Sequence, residues 1–547
     1  MNTQNIQIAP ITLPAARHLA RKPLSPGSLA RIDVWAGAMF ALILVPVFLY
    51  LEVSLAIAVP LSVLLGLTSR HLFRLMFSPD RNDVFFPTTL VVGYFVIDFA
   101  ARSFCLATVP LFARMGRNPY DDYIPAALWC ACAGYLSFSA GIGSNIARRW
   151  LRRLPADPIS WPRSLPALRV LFLMMIGLAS LIYLFRIGMT VGNYSNLEFQ
   201  RHPPPGLIVL LENLIDLSWV AICVFLVVPG RKSGRGSVWM LLGISIGILC
   251  VKLAISGGKV ALIQPFLEAV IVVHYGKRRF RIWELLAMGV PVLMIAFGLV
   301  NFYRFVVVGQ HGSPKSLADV VSRISSAFDM LKVEGATGTQ HSALEQIVDR
   351  DAGTDALALI MKYTPHPFPY VYGLHWLEIP LTFVPRQIWK DKPVNMPSAE
   401  FEMTYLGLPG RFNGFSSMHL IGDLYRNFSF AGVLFGMFLL GALLRFFYLF
   451  CSPSRVNGTG LFLYAALFPE IIHSLESDVG YAFINVTRAA ALAICVAVFL
   501  GCRFRRFQQM TLVPRHLDSS MGSGHFSIPV AAHGRNLQET IQKDPIQ

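Results

Sequence analysis

Charge is what this chain of 547 residues has least of. Asp, Glu, Lys and Arg together make up 14% of it, against 54% hydrophobic residues, and the mean hydropathy is +0.54. A soluble domain carries about 25% charged residues, so a water-soluble globule is excluded and an integral membrane protein is left. Acidic residues are the scarcer sign, 31 against 47 Lys and Arg, for a net charge of +16. Nucleic-acid binding would need that surplus on one face. Instead the basic residues fall in short clusters beside apolar runs: Arg148, Arg149, Arg152 and Arg153; Arg231, Lys232 and Arg235; Lys277, Arg278, Arg279 and Arg281; Arg503, Arg505 and Arg506. Such clusters resist translocation and mark cytoplasmic flanks, with anionic lipid headgroups as counter-charge. Membrane lipid is therefore the expected partner, and nucleic acid is not.

Cysteine is the second shortage. The eight are Cys105, Cys130, Cys132, Cys223, Cys250, Cys451, Cys495 and Cys502, all in or beside apolar runs, and no CxxC occurs. That pattern speaks against a disulfide framework or a zinc site and for small-residue packing. No cofactor is expected. Some thirty polar residues precede the first apolar run, a poor match to a cleavable signal, so the first helix is expected to serve as its own insertion signal. No internal repeat stands out.

What the chain has is long apolar runs. About twelve approach the length of about 20 residues that crosses a bilayer: 33–51, 53–69, 86–106, 124–143, 167–186, 207–228, 238–255, 259–275, 283–303, 428–450, 459–475 and 483–501. The expected fold is an all-α polytopic membrane protein. Its parts are a cytoplasmic segment 1–32, helices one to nine over 33–303, a large loop 304–427, helices ten to twelve over 428–501, and a polar tail 502–547 read as disordered and cytoplasmic. With both termini in the cytoplasm, every basic cluster falls on the cytoplasmic side, and the loops 114–123, 193–205 and 304–427 face outward.

The loop from Arg304 to Asn427 is where chemistry is expected, since loops beyond about 15 residues are rarely idle. Ser316–Leu331 has a helical apolar rhythm, and Ser342-Ala343-Leu344-Glu345 has the form of a capping box. Tyr363–Trp389, rich in Pro, His and aromatics, is expected along the membrane surface. In Phe383–Pro393, Arg386 and Lys392 flank Trp389 between prolines. Arg offers a rigid fork for phosphate oxygens, and Trp offers a face on which a sugar ring can stack. An interfacial anchor would use the same residues.

Two segments carry a family resemblance: Pro385-Arg386…Trp389…Lys392-Pro393, then Gly422-Asp423-Leu424-Tyr425…Asn427-Phe428…Gly432-Val433. With the large loop late in the chain, they resemble the bacterial oligosaccharide repeat-unit polymerases (O-antigen polymerases, Wzy-type). Ser256-Gly257-Gly258-Lys259 is similar to that family's Gly-Ser-Arg-Gly turn, with Lys in place of Arg. The resemblance covers roughly residues 250–440 and implies a GT-C-like fold with one large, partly helical periplasmic loop, in the bacterial inner membrane. It also implies a reaction: a glycan on polyprenyl diphosphate is moved onto a lipid-linked repeat unit, giving O-antigen, capsule or exopolysaccharide. Polyprenyl-diphosphate-linked oligosaccharide is the implied substrate, with a chain-length regulator and a repeat-unit flippase as implied partners.

Under that reading a cation must stabilise the departing diphosphate and a base must orient the attacking hydroxyl. Arg386 and Arg411 are the catalytic cations, Lys392 and Arg426 join them in substrate binding, and Arg304 and Lys259 stand behind at helix ends. His419 and Asp423 are the catalytic base candidates, with His375 beside them. Trp389 and Tyr425 complete the substrate-binding set. Each has a plainer role as well: a loop His forms hydrogen bonds, and Asp before a helix caps it.

Other signals weigh less. Asp349-Arg350-Asp351 has the form of a metal-binding DxD, but it lies outside, away from nucleotide sugars, and reads as a helix end. Asp121 and Asp122 would centre an alternative, a GT-C transferase using polyprenyl-phosphate sugar. An O-antigen-type ligase and a flippase for lipid-linked glycans are further alternatives. Asp98 and Arg102, four residues apart in the third run, are expected to pair with each other or face a cavity. His473, Glu476 and Asp478 mark the turn after the eleventh run.

Overall fold

The computed structural model describes residues 26–77, 83–108, 121–153, 159–162, 164, 166–187, 206–228, 235–256, 258–303, 322, 325, 353–382, 384, 389, 397–407, 418–451, 453 and 458–504. Most of the stretch 304–352 thus lies outside the described residues. With it go the Ser316–Leu331 rhythm (Ser322 and Ser325 apart), the capping box at Ser342, the Asp349-Arg350-Asp351 triplet and the polar tail.

A helix lies over each of the twelve apolar runs. In chain order they are α1 (Pro26–Tyr50), α2 (Leu55–Phe77), α3 (Pro87–Tyr94) running through a π-helical stretch (Phe95–Ala101) into α4 (Arg102–Thr108), and α5 (Ile124–Gly143) followed by the short α6 (Ile146–Leu151). Then come α7 (Ala167–Arg186), α8 (Gly206–Glu212) with α9 (Leu214–Val227), α10 (Arg235–Ser256), α11 (Lys259–Gly276) and α12 (Ile282–Tyr303). From the large loop come α13 (Gly353–Tyr363), a 3-10 turn (Leu374–Glu378) leading into α14 (Ile379–Thr382), and α15 (Pro397–Tyr405). The last helices are α16 (His419–Cys451), α17 (Gly458–Leu475) and α18 (Val479–Phe499). Among the described residues, nine helical stretches are long and apolar enough to cross a membrane. Strand among the described residues is limited to one antiparallel pairing, β1 (Ile159–Ser160) on β2 (Arg503–Phe504).

The surface suits lipid. Leu168 is 80% exposed and Phe435 71%, positions that water would penalise and acyl chains would cover. Because lipid is as apolar as leucine, helices associate through close packing instead of through apolar burial. The α5–α16 pair shows how. A Cβ on Gly141 would stand 2.0 Å from the Phe438 carbonyl oxygen, and one on Gly441 2.3 Å from that of Phe138. Only glycine lets the two backbones meet there.

Buried side chains form two large groups. One joins α7, α9, α10, α11, α17 and α18 through residues such as Met174, Ile222, Ile271 and Phe462. The other joins α2, α3, the π stretch, α5, α13 and α16 through Leu61, Phe95, Phe99, Leu128, Leu357 and Met437. Helix ends sort consistently. On one side Asp83 accepts from Tyr275 Oη (2.6 Å) and Tyr448 Oη (2.7 Å), with His274 Nε2 at 3.3 Å. Burial alone would raise the Asp83 carboxyl, but the hydrogen bonds from His274, Tyr275 and Tyr448 prevail and hold it below its ordinary value. The β1–β2 pairing and the Arg445 contacts to the Ile142 and Ser144 carbonyls belong to this same side. The opposite ends of the helices, at 102–108, 121–124, 419 and 475–479, meet α13, the 3-10 turn and α14.

Candidate functional site

Two local irregularities position the site. The first is the π-helical stretch carrying Asp98. In an α-helix residues four apart share a face, but an i→i+5 segment turns less per residue. Asp98 and Arg102 therefore do not pair with each other, contrary to one expectation from their spacing. Arg102 donates from Nε (3.0 Å) and Nη2 (2.7 Å) to Asp355 Oδ2, at the start of α13. Asp98 Oδ2 lies 3.3 Å from His419 Nδ1. Thr354 Oγ1, at 3.1 Å from Ser103 Oγ and 3.2 Å from the Asp98 and Phe99 carbonyls, sews the same turn down. Burial pushes the Asp355 carboxyl above its ordinary value, against the pull of Arg102.

The second irregularity is a break in α16 at Phe428 (φ −138°, ψ 26°) and Ser429 (φ 56°, ψ −154°). The helix begins at His419, so the Gly422–Val433 motif lies inside it, nine residues earlier than the predicted crossing. Ahead of the break, His419, Asp423, Arg426 and Asn427 form one helical stripe, and all four are buried. The Arg426 and Asn427 carbonyls, which the break takes out of the helical ladder, accept from the Val371 and Tyr372 amides at 3.2 Å. Asn427 Oδ1 accepts from the Gly373 amide (2.8 Å), while its Nδ2 donates to Asp423 Oδ1 (2.9 Å). Asp423 Oδ2 accepts from the Val479 amide (3.0 Å) and Trp376 Nε1 (3.3 Å). Asp423 and Asn427 thus form a latch that clasps the aromatic segment 371–376 onto α16 and the first turn of α18. That turn is capped by Asp478, which accepts from the Tyr481 amide at 2.8 Å, as the turn reading of the sequence allowed.

Above the latch sits a half-exposed ionic group. Arg426 Nη2 donates to Glu400 Oε1 in a short contact and lies 3.2 Å from His375 Nε2; His375 and Glu400 are 3.4 Å apart. The Arg426 side chain is 5% exposed, against 30% for His375 and 37% for Glu400. The guanidinium lies 5.9 Å from the centre of the Tyr405 ring, and Tyr405 Oη bonds Thr364 Oγ1 at 2.8 Å. The segments that carry His375 and Arg426 also bring rings together: Trp376 against Phe428 (5.5 Å), Tyr372 against Phe428 (6.3 Å), and Tyr370 beside Tyr425 (6.4 Å). The imidazole–carboxylate pair can take a proton, the guanidinium can share charge with an incoming anion, and the rings offer apolar faces.

This chain matches no known protein family, no curated protein and no solved structure. Its function is therefore argued from its own residues.

Of the residues singled out from sequence, the structure brings together His375, His419, Asp423, Tyr425 and Arg426. His419 is 3% exposed and Asp423 4%, so neither meets solvent and the accessible imidazole is that of His375. Arg426 does not meet solvent as an isolated cation; Glu400 shares its charge. Lys259 opens α11 and is buried; that helix packs on α9, α10, α12 and α17, away from the His375 group. Trp389 is half-buried. Arg304, Arg386, Lys392 and Arg411 lie outside the described residues. Glu400, Asp355 and the role of Asp98 escaped sequence reading. Their only signal was acid in a scarce-acid chain.

Proposed function

We propose that this protein is a glycosyltransferase of the bacterial inner membrane that joins polyprenyl-diphosphate-linked oligosaccharide repeat units into a surface polysaccharide. In this reading the chain crosses the bilayer twelve times in a GT-C-like arrangement, both termini are cytoplasmic, and the large loop is periplasmic. The observation that carries it is the half-exposed His375–Glu400–Arg426 group, carried on the same segments as the rings of Tyr370, Tyr372 and Trp376 and seated on the helix ends by the Asp423–Asn427 latch.

The chemistry follows from that grouping. A sugar hydroxyl of the incoming repeat unit attacks the anomeric carbon of the growing chain, and its proton passes to His375, which Glu400 orients. The bond from the anomeric carbon to the diphosphate oxygen breaks, and the diphosphate leaves with the electron pair. Arg426, displaced in part from Glu400, shares the developing negative charge with the loop cations Arg386, Lys392 and Arg411. Aromatic faces hold the sugars and the bilayer edge holds the polyprenyl tail.

Deletion of the protein should leave single lipid-linked repeat units and abolish long chains on glycan gels. His375→Ala and Glu400→Ala should do the same at normal protein abundance. Arg426→Lys should restore little, since it keeps the charge and loses the planar fork. Full-length polymer from well-expressed His375→Ala and Glu400→Ala proteins would refute the site. Repeat units stranded on the cytoplasmic face would point to a flippase instead, and finished polymer that never leaves its lipid carrier to a ligase.

A further inference from the structure

The first helical group, with α8 beside it, holds a polar cluster that the proposed reaction does not use. Lys252 of α10 donates to Asp216 of α9 at 2.7 Å and lies 3.5 Å from Glu212 of α8. Glu268 of α11 stands within electrostatic reach of Asp216, Lys252 and Glu470 of α17. By helix position these groups lie about 6 to 15 Å from the helix ends on the side that carries His375, at about 1.5 Å per residue. They are inside the apolar layer.

Four carboxyls here face one ammonium, so full ionisation would bury uncompensated negative charge in hydrocarbon, which is prohibitively costly. Glu268 marks where the missing positive charge belongs. It is 1% exposed; Oε1 accepts from Gln264 Nε2 at 3.0 Å, and Oε2 has no hydrogen-bond partner among the described residues. Among those residues, no three His, Cys, Asp or Glu side chains converge as the ligands of a metal ion would. Other ionisable groups on the packed elements are Arg169, Tyr183 and Arg186 of α7, Cys223 of α9, Arg235 and Cys250 of α10, Lys259, His274 and Tyr275 of α11, Glu284 and Tyr303 of α12, Tyr464 and His473 of α17, and Tyr481, Arg488 and Cys495 of α18. Of these, Arg488 donates to the Thr382 carbonyl and Glu284 pairs with Arg278.

We propose that Glu212, Asp216, Lys252, Glu268 and Glu470 form an intramembrane proton-binding site, with Glu268 as the acceptor and the half-exposed Glu470 as its link to the outer helix ends. The proton moves onto a Glu268 carboxylate oxygen and leaves from it. No other bond changes. A polytopic protein with such a site is equipped to couple a movement of its first helical group to proton uptake.

The test is infrared difference spectroscopy on the full-length protein in lipid nanodiscs, exchanging mildly alkaline for mildly acidic buffer. A carboxylic-acid C=O band should appear reversibly, shift in D2O, disappear in Glu268→Gln and persist in the control Glu284→Gln. Glu470→Gln should leave the band but slow its appearance at least tenfold. Should Glu268→Gln not fold, Lys252→Met serves: removing the ammonium should extend the band to more alkaline buffer. The absence of a band, a band unaffected by Glu268→Gln or Lys252→Met, a band that never exchanges in D2O, or one displaced by Na+ at constant pH would each overturn the proposal.

Discussion

Asp355→Ala should release α13 from the helix ends beneath it. Arg102 Nε and Nη2 both donate to the same Asp355 oxygen, and the two side chains are 11% and 10% exposed. The Coulomb attraction of such a pair is about 4 kcal/mol at an effective dielectric of 20. Desolvation of two ions, several kcal/mol each, offsets most of it. The net contribution of the pair is therefore small, but the loss of one partner is not. It strips a buried guanidinium of its carboxylate, and such removals cost about 3–5 kcal/mol. Asp355 Oδ1 has no partner among the described residues, so the pair falls short of a full fork and the lower figure applies. About 3 kcal/mol, at 1.4 kcal/mol per tenfold, means roughly a hundredfold more opening. Hydrogen exchange of the Gly353–Tyr363 amides in detergent would read it as roughly a hundredfold loss of protection. The double variant Arg102→Met/Asp355→Leu should recover to within about tenfold of the parent, because the guanidinium is removed together with its carboxylate. Unchanged protection in Asp355→Ala, or a double variant as exposed as the single, would refute the reasoning.

The latch should respond to Asn427→Ala, which orphans the Gly373 amide and removes a donor from Asp423. A loss of about 1–3 kcal/mol should appear as a lower melting temperature, while Tyr372→Phe at the exposed rim leaves it unchanged. Asp83, whose carboxyl is held low in the folded protein, contributes stability that is complete above about pH 3.9, the unfolded value. That stability is lost as pH falls through the lower folded value, so melting curves of the parent and Asp83→Asn should converge across that acid window; parallel curves would exclude the assignment. Gly441→Ala should cost about 1–3 kcal/mol by driving α5 and α16 apart. Gly143→Ala, with nothing within 4 Å of the added carbon, should be neutral or slightly stabilising, and equal effects in thermal unfolding would contradict the close-approach argument.

The presence of the helices was legible because its cause is local. A run of apolar residues near bilayer length needs only its own backbone hydrogen bonds to be satisfied in lipid, and a helix duly lies over each run. Ends were less legible: α1 starts seven residues before its run, α2 ends eight after its own, and α16 starts at His419 instead of near Phe428, its first turns being polar and stabilised by partners from elsewhere in the chain. The chain alone also marked the segment from Gly422 to Val433 and the unusual charges Asp98 and Arg102.

Partnership was decided only by the tertiary structure. Spacing suggested that Asp98 would meet Arg102, yet a π-helical stretch turned them toward His419 and Asp355, 321 and 253 residues distant. His419 and Asp423 looked like bases and are buried, His419 beside Asp98 and Asp423 inside the latch. Glu400, unremarked in the sequence, stands against Arg426 and makes His375 the accessible group. Hydropathy and local spacing act over a few residues, so they fix where a helix runs. Which charge meets which depends on how helices distant in the chain turn their faces to one another, and that is set by close packing and by the satisfaction of buried polar groups.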